Sequence, residues 1–92
     1  MNIILTKAFK KSLDEIVEFI AKDSPNRAFA FRDRILDKIK TLTFMPFRCR
    51  KNAVLDDKNV RDLIYKGYVI VFRVNSDNIE ILQIFKENLP KL

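Results

Sequence analysis

Cationic side chains dominate the chemistry available to this sequence. Its 92 residues include 18 Lys and Arg, 12 Asp and Glu, one Cys and no His, and the formal net charge is +6. The absence of His and the single Cys exclude a His- and Cys-based zinc site, a His-based catalytic triad and a disulfide framework. Any acid–base step would have to use Lys, Arg, Tyr or a carboxylate. We predict no metal ion and no other cofactor.

The positive charge is concentrated in one stretch of the chain. No acidic residue occurs between Asp37 and Asp56, whereas this stretch carries Lys38, Lys40, Arg48, Arg50 and Lys51. Such a block attracts an anionic partner, which could be nucleic acid, an acidic protein or a phosphate-rich surface. The alternative is a solvated loop on a basic protein.

An apolar cluster, Phe44-Met45-Pro46-Phe47, directly precedes Arg48. Aromatic residues beside Arg are typical of base stacking or of a protein-binding hot spot. The alternative is that Phe44 and Phe47 plug the open end between helices and sheet. If Cys49 were exposed, its two Arg neighbours would lower the pKa of its thiol, but without a His base we expect no Cys nucleophile. Asp56-Asp57 indicates a solvated turn, with metal binding as the alternative.

Hydrophobic periodicity predicts the helices that position these residues. A β-branched segment at Asn2 to Leu5 indicates a first strand, and Thr6 is a suitable N-cap for a helix from about Lys7 to Lys22. Ser24-Pro25 is typical of a helix start, so a second helix is predicted over 25–43. Its apolar stripe contains Ala28, Phe31, Ile35, Ile39 and Leu42, widened by Phe29 and Leu36.

The rest of the chain is predicted to be β-structure. A short strand near Ala53-Val54-Leu55 precedes strands at Val60 to Tyr65, Tyr68 to Val74 and Ile79 to Phe85, with Lys66-Gly67 suited to a tight hairpin turn. In the last strand, alternation puts Ile79, Ile81, Gln83 and Phe85 on one face and Leu82 and Ile84 on the other. The tail from Lys86 to Leu92 is predicted to be mobile.

The predicted fold is α+β, with the order β-α-α-β-β-β. A helical hairpin packs on one face of a small, mainly antiparallel sheet, and residues 1–92 form a single domain. No uncharged run is long enough to span a membrane, and the first residues do not resemble a signal peptide. We therefore expect a cytoplasmic protein without a membrane partner.

Three segments in this order resemble the RelE/ParE toxin superfamily of bacterial type II toxin–antitoxin systems. The first is the helix pair around Ser24-Pro25. The second runs from Val60-Arg61-Asp62-Leu63 through Gly67 to Tyr68 and Arg73, and the third is the strand Ile79-Glu80-Ile81-Leu82-Gln83-Ile84. The resemblance implies one of two activities, which are ribosome-dependent cleavage of mRNA, as in the RelE-like branch, and inhibition of DNA gyrase without chemistry, as in the ParE-like branch.

The groups needed for RNA cleavage are present only in part. Cleavage needs a base for the 2′-hydroxyl, a proton donor for the leaving oxygen and cations for the transition-state charge. RNA-cleaving members commonly carry an Arg after the Tyr of the central strand and a His after the last strand. Here Val69 follows Tyr68, and Phe85 and Lys86 follow Ile84. A C-terminal Tyr is also missing, and the carboxylate of Asp62 beside Arg61 would oppose phosphate binding.

The candidate catalytic residues of a nuclease are therefore Arg61, Arg73, Lys86 and Tyr68. Arg61 and Arg73 form a basic concavity only if both point to one face of the sheet. The alternative for Arg73 is a cross-strand ion pair with Glu80.

The resemblance favours the ParE-like branch, with DNA gyrase as the target and growth inhibition as the outcome. It implies a cognate antitoxin, acidic and partly disordered until bound, that pairs with the basic face and an exposed sheet edge in a toxin–antitoxin hetero-oligomer. The residues expected to bind the antitoxin or the target are Arg48, Arg50, Lys51, Arg61, Arg73, Lys86 and Phe47. The alternatives are an endoribonuclease acting on the ribosome and mRNA, and a non-toxic nucleic-acid-binding or regulatory domain.

Overall fold

Two helices lie on one face of a five-stranded sheet in the computed structural model, which describes residues 1–87. The elements are β1 (Asn2–Leu5), α1 (Lys7–Asp23), α2 (Pro25–Lys40), two 3₁₀ turns (Thr41–Thr43 and Pro46–Arg48), β2 (Arg50–Lys51), β3 (Val60–Tyr65), β4 (Tyr68–Val74) and β5 (Asn78–Lys86). The strand order is β1-β5-β4-β3-β2, in which only β1 and β5 are parallel. The predicted α+β fold is confirmed, whereas most of the predicted mobile tail lies outside the described residues.

Side-chain caps set the starts of both helices, as predicted. The Thr6 hydroxyl accepts a hydrogen bond from the Phe9 N–H at 3.2 Å, and the Ser24 hydroxyl accepts one from the Arg27 N–H at 3.2 Å. Ser24 also donates its own N–H to the Ile20 carbonyl at 3.0 Å. One residue therefore ends α1 and begins α2, which makes the helical hairpin tight.

The second helix is shorter than predicted. It ends at Lys40, and Thr41–Thr43 continues as a 3₁₀ turn. The hydroxyls of Thr41 and Thr43 donate to the carbonyls of Lys38 and Lys40 at 2.6 and 3.1 Å, and these bonds satisfy carbonyls that the helix leaves free. The prediction that Phe29 widens the buried stripe is also wrong, because Phe29 is 65% exposed.

The strand predicted at 53–55 is wrong, and the structure has a two-residue strand at Arg50–Lys51 in its place. The side-chain amide oxygen of Asn52 (Oδ1) accepts hydrogen bonds from the main-chain N–H groups of Val54 and Leu55 at 2.9 and 2.7 Å. These N–H groups are therefore unavailable for pairing with a strand, and the chain turns away from the sheet at this point.

The main core lies between the helices and the sheet. Its largest members are Phe9, Leu13, Ile35, Ile39, Leu42, Ile70, Phe72, Ile79, Ile81 and Ile84. A smaller cluster of Val60, Val69 and Val71, with Leu82 packed against it, lies on the other face, which we call the open face. Ile70 and Phe72 therefore face the helices, and Val69 and Val71 face away from them.

A β-bulge at Leu82 makes the predicted faces of the last strand wrong. Val71 pairs with Gln83 but Phe72 pairs with Ile81, which leaves Leu82 as an extra residue. The bulge shifts the alternation by one residue, so Ile84 joins Ile79 and Ile81 in the main core. Thr6 stabilises this point, because its hydroxyl donates to the Ile81 carbonyl at 2.7 Å.

The predicted hairpin turn is confirmed at Lys66-Gly67. Both residues have positive φ angles, 47° and 83°, which is the geometry of a type I′ turn between twisted strands. The turn sets the register in which Tyr65 pairs with Tyr68. Among residues 1–87, no helix is both long and apolar enough to cross a membrane.

Candidate functional site

Arg61 and Arg73 lie on opposite faces of the sheet. In the β3–β4 register, Arg61 is opposite Phe72 and Arg73 is opposite Val60. Phe72 belongs to the main core and Val60 to the cluster on the open face. Since directly opposed residues share a face, the two guanidinium groups point to different sides, and the basic concavity that would need both of them does not form.

Arg61 connects β3 to the segment that follows α2. Its side chain donates to the carbonyls of Lys58 and Cys49 at 2.9 and 3.2 Å. Its guanidinium carbon also lies 5.0 Å from the centroid of the Phe47 ring, which is within cation–π distance. Arg61 therefore supports the Phe47 side chain on the helix side of the sheet.

Arg73 lies between two carboxylates on the open face. Its guanidinium is 3.7 Å from Glu80 and 3.9 Å from Asp57, so the alternative of a cross-strand pair with Glu80 is present. Both carboxylates are partly exposed, and such pairs contribute little to stability. They do reduce the attraction of this side chain for a phosphate.

The buried Asp62 carboxylate belongs to a polar network. It does not oppose phosphate binding at Arg61, contrary to the expectation from the sequence. Asp62 lies opposite Val71 and therefore faces away from Arg61. It accepts hydrogen bonds from Asn52 Nδ2 at 2.8 Å and from Arg50 Nε at 3.1 Å. The network joins β2 to β3 and fixes the Asn52 turn, so Arg50 is held by the fold.

The remaining basic residues of the block have different partners. The Lys51 ammonium is 3.8 Å from the exposed Asp56 carboxylate, and Arg48 donates to the Thr41 hydroxyl at 3.4 Å. Asp57 accepts the N–H of Asn59 at 2.9 Å, as expected for a turn residue. Within residues 1–87, no group of three or more His, Cys, Asp or Glu could hold a metal ion.

Cys49 is buried, so the low thiol pKa considered for an exposed Cys does not arise. Burial raises the pKa of the Cys49 thiol above its ordinary value, and the opposing effect of Arg48 and Arg61 is smaller. A buried, protonated thiol is a poor nucleophile. Cys49 therefore acts as a small core residue against the helices.

Phe44, Met45 and Phe47 are exposed, by 74, 63 and 50% of their surfaces. Phe44 therefore does not fill the end of the core between helices and sheet. The buried residue just before Phe44 is Leu42.

Tyr68 and Lys86 are brought together at the hairpin end of the sheet. They are register partners on β4 and β5, and both line two adjoining grooves beneath the helices. The first groove, of about 560 Å³, lies between α1 and β5, and the second, of about 430 Å³, lies beneath the helix hairpin. Phe19 also lines both grooves, so we treat them as one site and call it the Tyr68–Lys86 groove.

The groove combines aromatic rings with cations. The Phe31 and Tyr68 rings pack with their centroids 4.8 Å apart. Arg27, Arg34, Lys66 and Lys86 line the second groove, and Glu15 lines the first. In the sequence no cationic residue directly follows Tyr68, and Lys86 becomes its neighbour only through strand pairing. Phe19 was not predicted as a site residue, although the sequence contained a signal. Phe19 lies outside the apolar stripe of α1, which consists of Phe9, Leu13, Ile16, Val17 and Ile20.

The four candidate catalytic residues do not surround one point. Tyr68 and Arg73 are five residues apart on β4, which corresponds to about 16 Å along a strand, and they point to opposite faces. Arg61 shares the face of Tyr68 but lies four residues along β3 from Tyr65, the register partner of Tyr68, which corresponds to about 13 Å. A phosphodiester placed beside Tyr68 and Lys86 would therefore be out of reach of Arg61 and Arg73, and the guanidinium groups on the groove are those of Arg27 and Arg34.

A helical hairpin on one face of this sheet, in the order β-α-α-β-β-β, defines the small α+β toxin domain of the RelE/ParE superfamily. Residues 3–88 match the family described as the ParE toxin of type II toxin-antitoxin system, parDE, and the chain belongs to this family. The predicted ParE-like branch is thereby confirmed.

One solved structure shows the same fold over nearly the whole chain. It is described as the chromosomal ParDE TA system from P. aeruginosa, and it superposes with a TM-score of 0.82 at 22% sequence identity, covering 96% of this chain and 97% of the other. At this identity the likeness concerns the fold alone. Comparison with curated proteins gives no match.

Proposed function

We propose that this ParE-family toxin acts by binding and inhibiting DNA gyrase and that it cleaves no nucleic acid. Membership of the ParE toxin family supports the first half of the proposal. The observation that carries the second half, the absence of cleavage, is the dispersion of the candidate catalytic groups. Arg61 and Arg73 point to opposite faces of the sheet, and Tyr68 and Lys86 lie at its hairpin end. A ribonuclease needs its proton donor, its base and its cations around one phosphate.

We further propose that the Tyr68–Lys86 groove is where a cognate antitoxin binds. The groove offers aromatic surface from Phe19, Phe31 and Tyr68, and the basic residues Arg27, Arg34, Lys66 and Lys86 exceed its acidic ones. An acidic segment with apolar anchors, disordered until bound, fits such a surface. The similar P. aeruginosa structure is described as a ParDE TA system, which supports a toxin–antitoxin complex for this chain.

One observation favours the alternative of mRNA cleavage on the ribosome. Tyr68 and Lys86 are register partners and both line an open groove, so a phenol and an ammonium group belong to one site.

Brief expression in growing cells separates the two functions. We expect growth arrest with DNA breaks, induction of the DNA-damage response and filamentation, while transcripts stay intact. Tyr68→Phe should arrest growth as the wild type does, and Tyr65→Phe, at the register partner of Tyr68, is the control. Cut transcripts that disappear in Tyr68→Phe but persist in Tyr65→Phe would contradict the proposal.

A further inference from the structure

An exposed apolar and basic surface lies outside the Tyr68–Lys86 groove. It consists of Phe44, Met45, Phe47, Arg48 and Arg61, which we call the Phe44 patch. Three large apolar side chains within four consecutive residues are at least half exposed. Exposed apolar side chains that are contiguous, unlike single ones, mark interaction surfaces.

The fold holds this patch in a defined conformation. The flanking residues Leu42 and Cys49 are buried in the main core. Short-range bonds close the segment, from the Phe44 N–H to Thr41 and from the Arg48 N–H to Met45, at 3.0 and 3.2 Å. Met45 has a left-handed backbone, with φ 59° and ψ 58°, which is uncommon for a non-Gly residue and concentrates at functional positions.

The charge of the patch is positive and not neutralised. Among residues 1–87, neither Arg48 nor Arg61 forms an ion pair with a carboxylate, whereas Arg50, Lys51 and Arg73 all do. Arg61 donates only to main-chain carbonyls and covers the Phe47 ring. A partner with carboxylates around an apolar pocket would therefore meet unpaired guanidinium groups next to exposed rings.

We propose that the Phe44 patch docks on an acidic surface of the toxin's protein target. This inference rests on the proposed function, under which the target is gyrase. Phe, Met and Arg are enriched at the centres of protein interfaces, and a preordered patch loses little conformational entropy on binding. The patch is separate from the groove, because Arg61 and Tyr65 on β3 are about 13 Å apart along the strand.

Two patch variants and two matched controls test the inference with purified gyrase and supercoiled DNA. Phe44→Ala is compared with Phe29→Ala on α2, since the two Phe side chains are 74 and 65% exposed. Arg48→Glu is compared with Lys10→Glu on α1, since both positions are exposed and the charge change is equal. Thermal melts of all four variants establish that each is folded.

We expect each patch variant to raise the concentration needed for half-inhibition of supercoiling by about tenfold or more, as for hot-spot residues. Each control should stay within about twofold of the wild type. Inhibition by the patch variants at wild-type concentrations would overturn the inference. Tight binding of the wild type to linear duplex DNA without gyrase, lost in the patch variants, would overturn it in favour of a nucleic-acid surface.

Wild-type protein that leaves gyrase uninhibited contradicts the proposed function, not the inference about the patch. In that case growth arrest in cells decides the inference. Loss of arrest in Phe44→Ala and Arg48→Glu, with arrest kept in Phe29→Ala and Lys10→Glu, supports a different protein target. Equal arrest by all four variants overturns the inference.

Discussion

Replacing Asp62 with Ala tests the polar network that joins β2 to β3. The Asp62 side chain is 6% exposed and accepts hydrogen bonds from Asn52 and Arg50 at 2.8 and 3.1 Å. Asn52 in turn accepts the N–H groups of Val54 and Leu55. Asp62→Ala removes the acceptor that fixes the Asn52 amide and leaves a buried donor without a partner.

The two lost bonds differ in their contribution to stability. An unsatisfied buried donor such as the Asn52 amide costs about 1–3 kcal/mol. The Arg50 side chain is 53% exposed, so water screens its pair with Asp62 and replaces much of that interaction. A total loss of about 2 kcal/mol would lower the Tm of a domain of this size by roughly 8–16 °C.

Thermal unfolding and amide hydrogen exchange measure the global and the local consequence. Besides the lower Tm, we expect faster exchange at Val54 and Leu55, whose N–H groups depend on the orientation of Asn52. Asp56→Ala is the control, because Asp56 carries the same charge but its side chain is fully exposed. Unchanged Tm and unchanged exchange at Val54 and Leu55 in Asp62→Ala would refute the network, as would an equal loss in Asp56→Ala.

Three further substitutions or modifications test the core, the turn and the buried thiol. Ile39→Ala, at a position 2% exposed, should lower the free energy of unfolding by about 2–5 kcal/mol in urea denaturation; a loss below 1 kcal/mol would contradict a close-packed core. Gly67→Ala should cost about 1 kcal/mol because φ is positive at this position, although the added carbon would have no atom within 4 Å apart from Gly67 and its two chain neighbours. Gly67→Asn should cost less, and an equal loss in both would contradict the backbone explanation. Cys49 should react with iodoacetamide much more slowly in the native protein than in urea, because burial raises its thiol pKa and blocks access; equal rates would show that the thiol is exposed.

Local patterns were enough to predict the helices and the hairpin. The cap at Ser24-Pro25 and the Lys66-Gly67 turn depend on adjacent residues alone, and both are confirmed. The error at Ile84 has a different origin, because the bulge at Leu82 shifts the alternation of β5 and depends on pairing with β4. The sequence of β5 alone does not show which of its residues will have no partner on β4.

The candidate site was less predictable than the fold, because its residues meet through strand pairing. Tyr68 and Lys86 are 18 residues apart in the chain and become neighbours only in the β4–β5 register. Similarly, the faces of Arg61 and Arg73 follow from the β3–β4 register. Composition identified the basic residues, but not which of them a carboxylate neutralises.

Supercoiling by purified gyrase, run beside an intact translation system, tests the central claim most directly. We expect the protein to inhibit gyrase at micromolar concentration and to leave mRNA on translating ribosomes intact. The contradictory result is unaffected supercoiling together with mRNA cleavage that one substitution, such as Tyr68→Phe, abolishes without unfolding the domain.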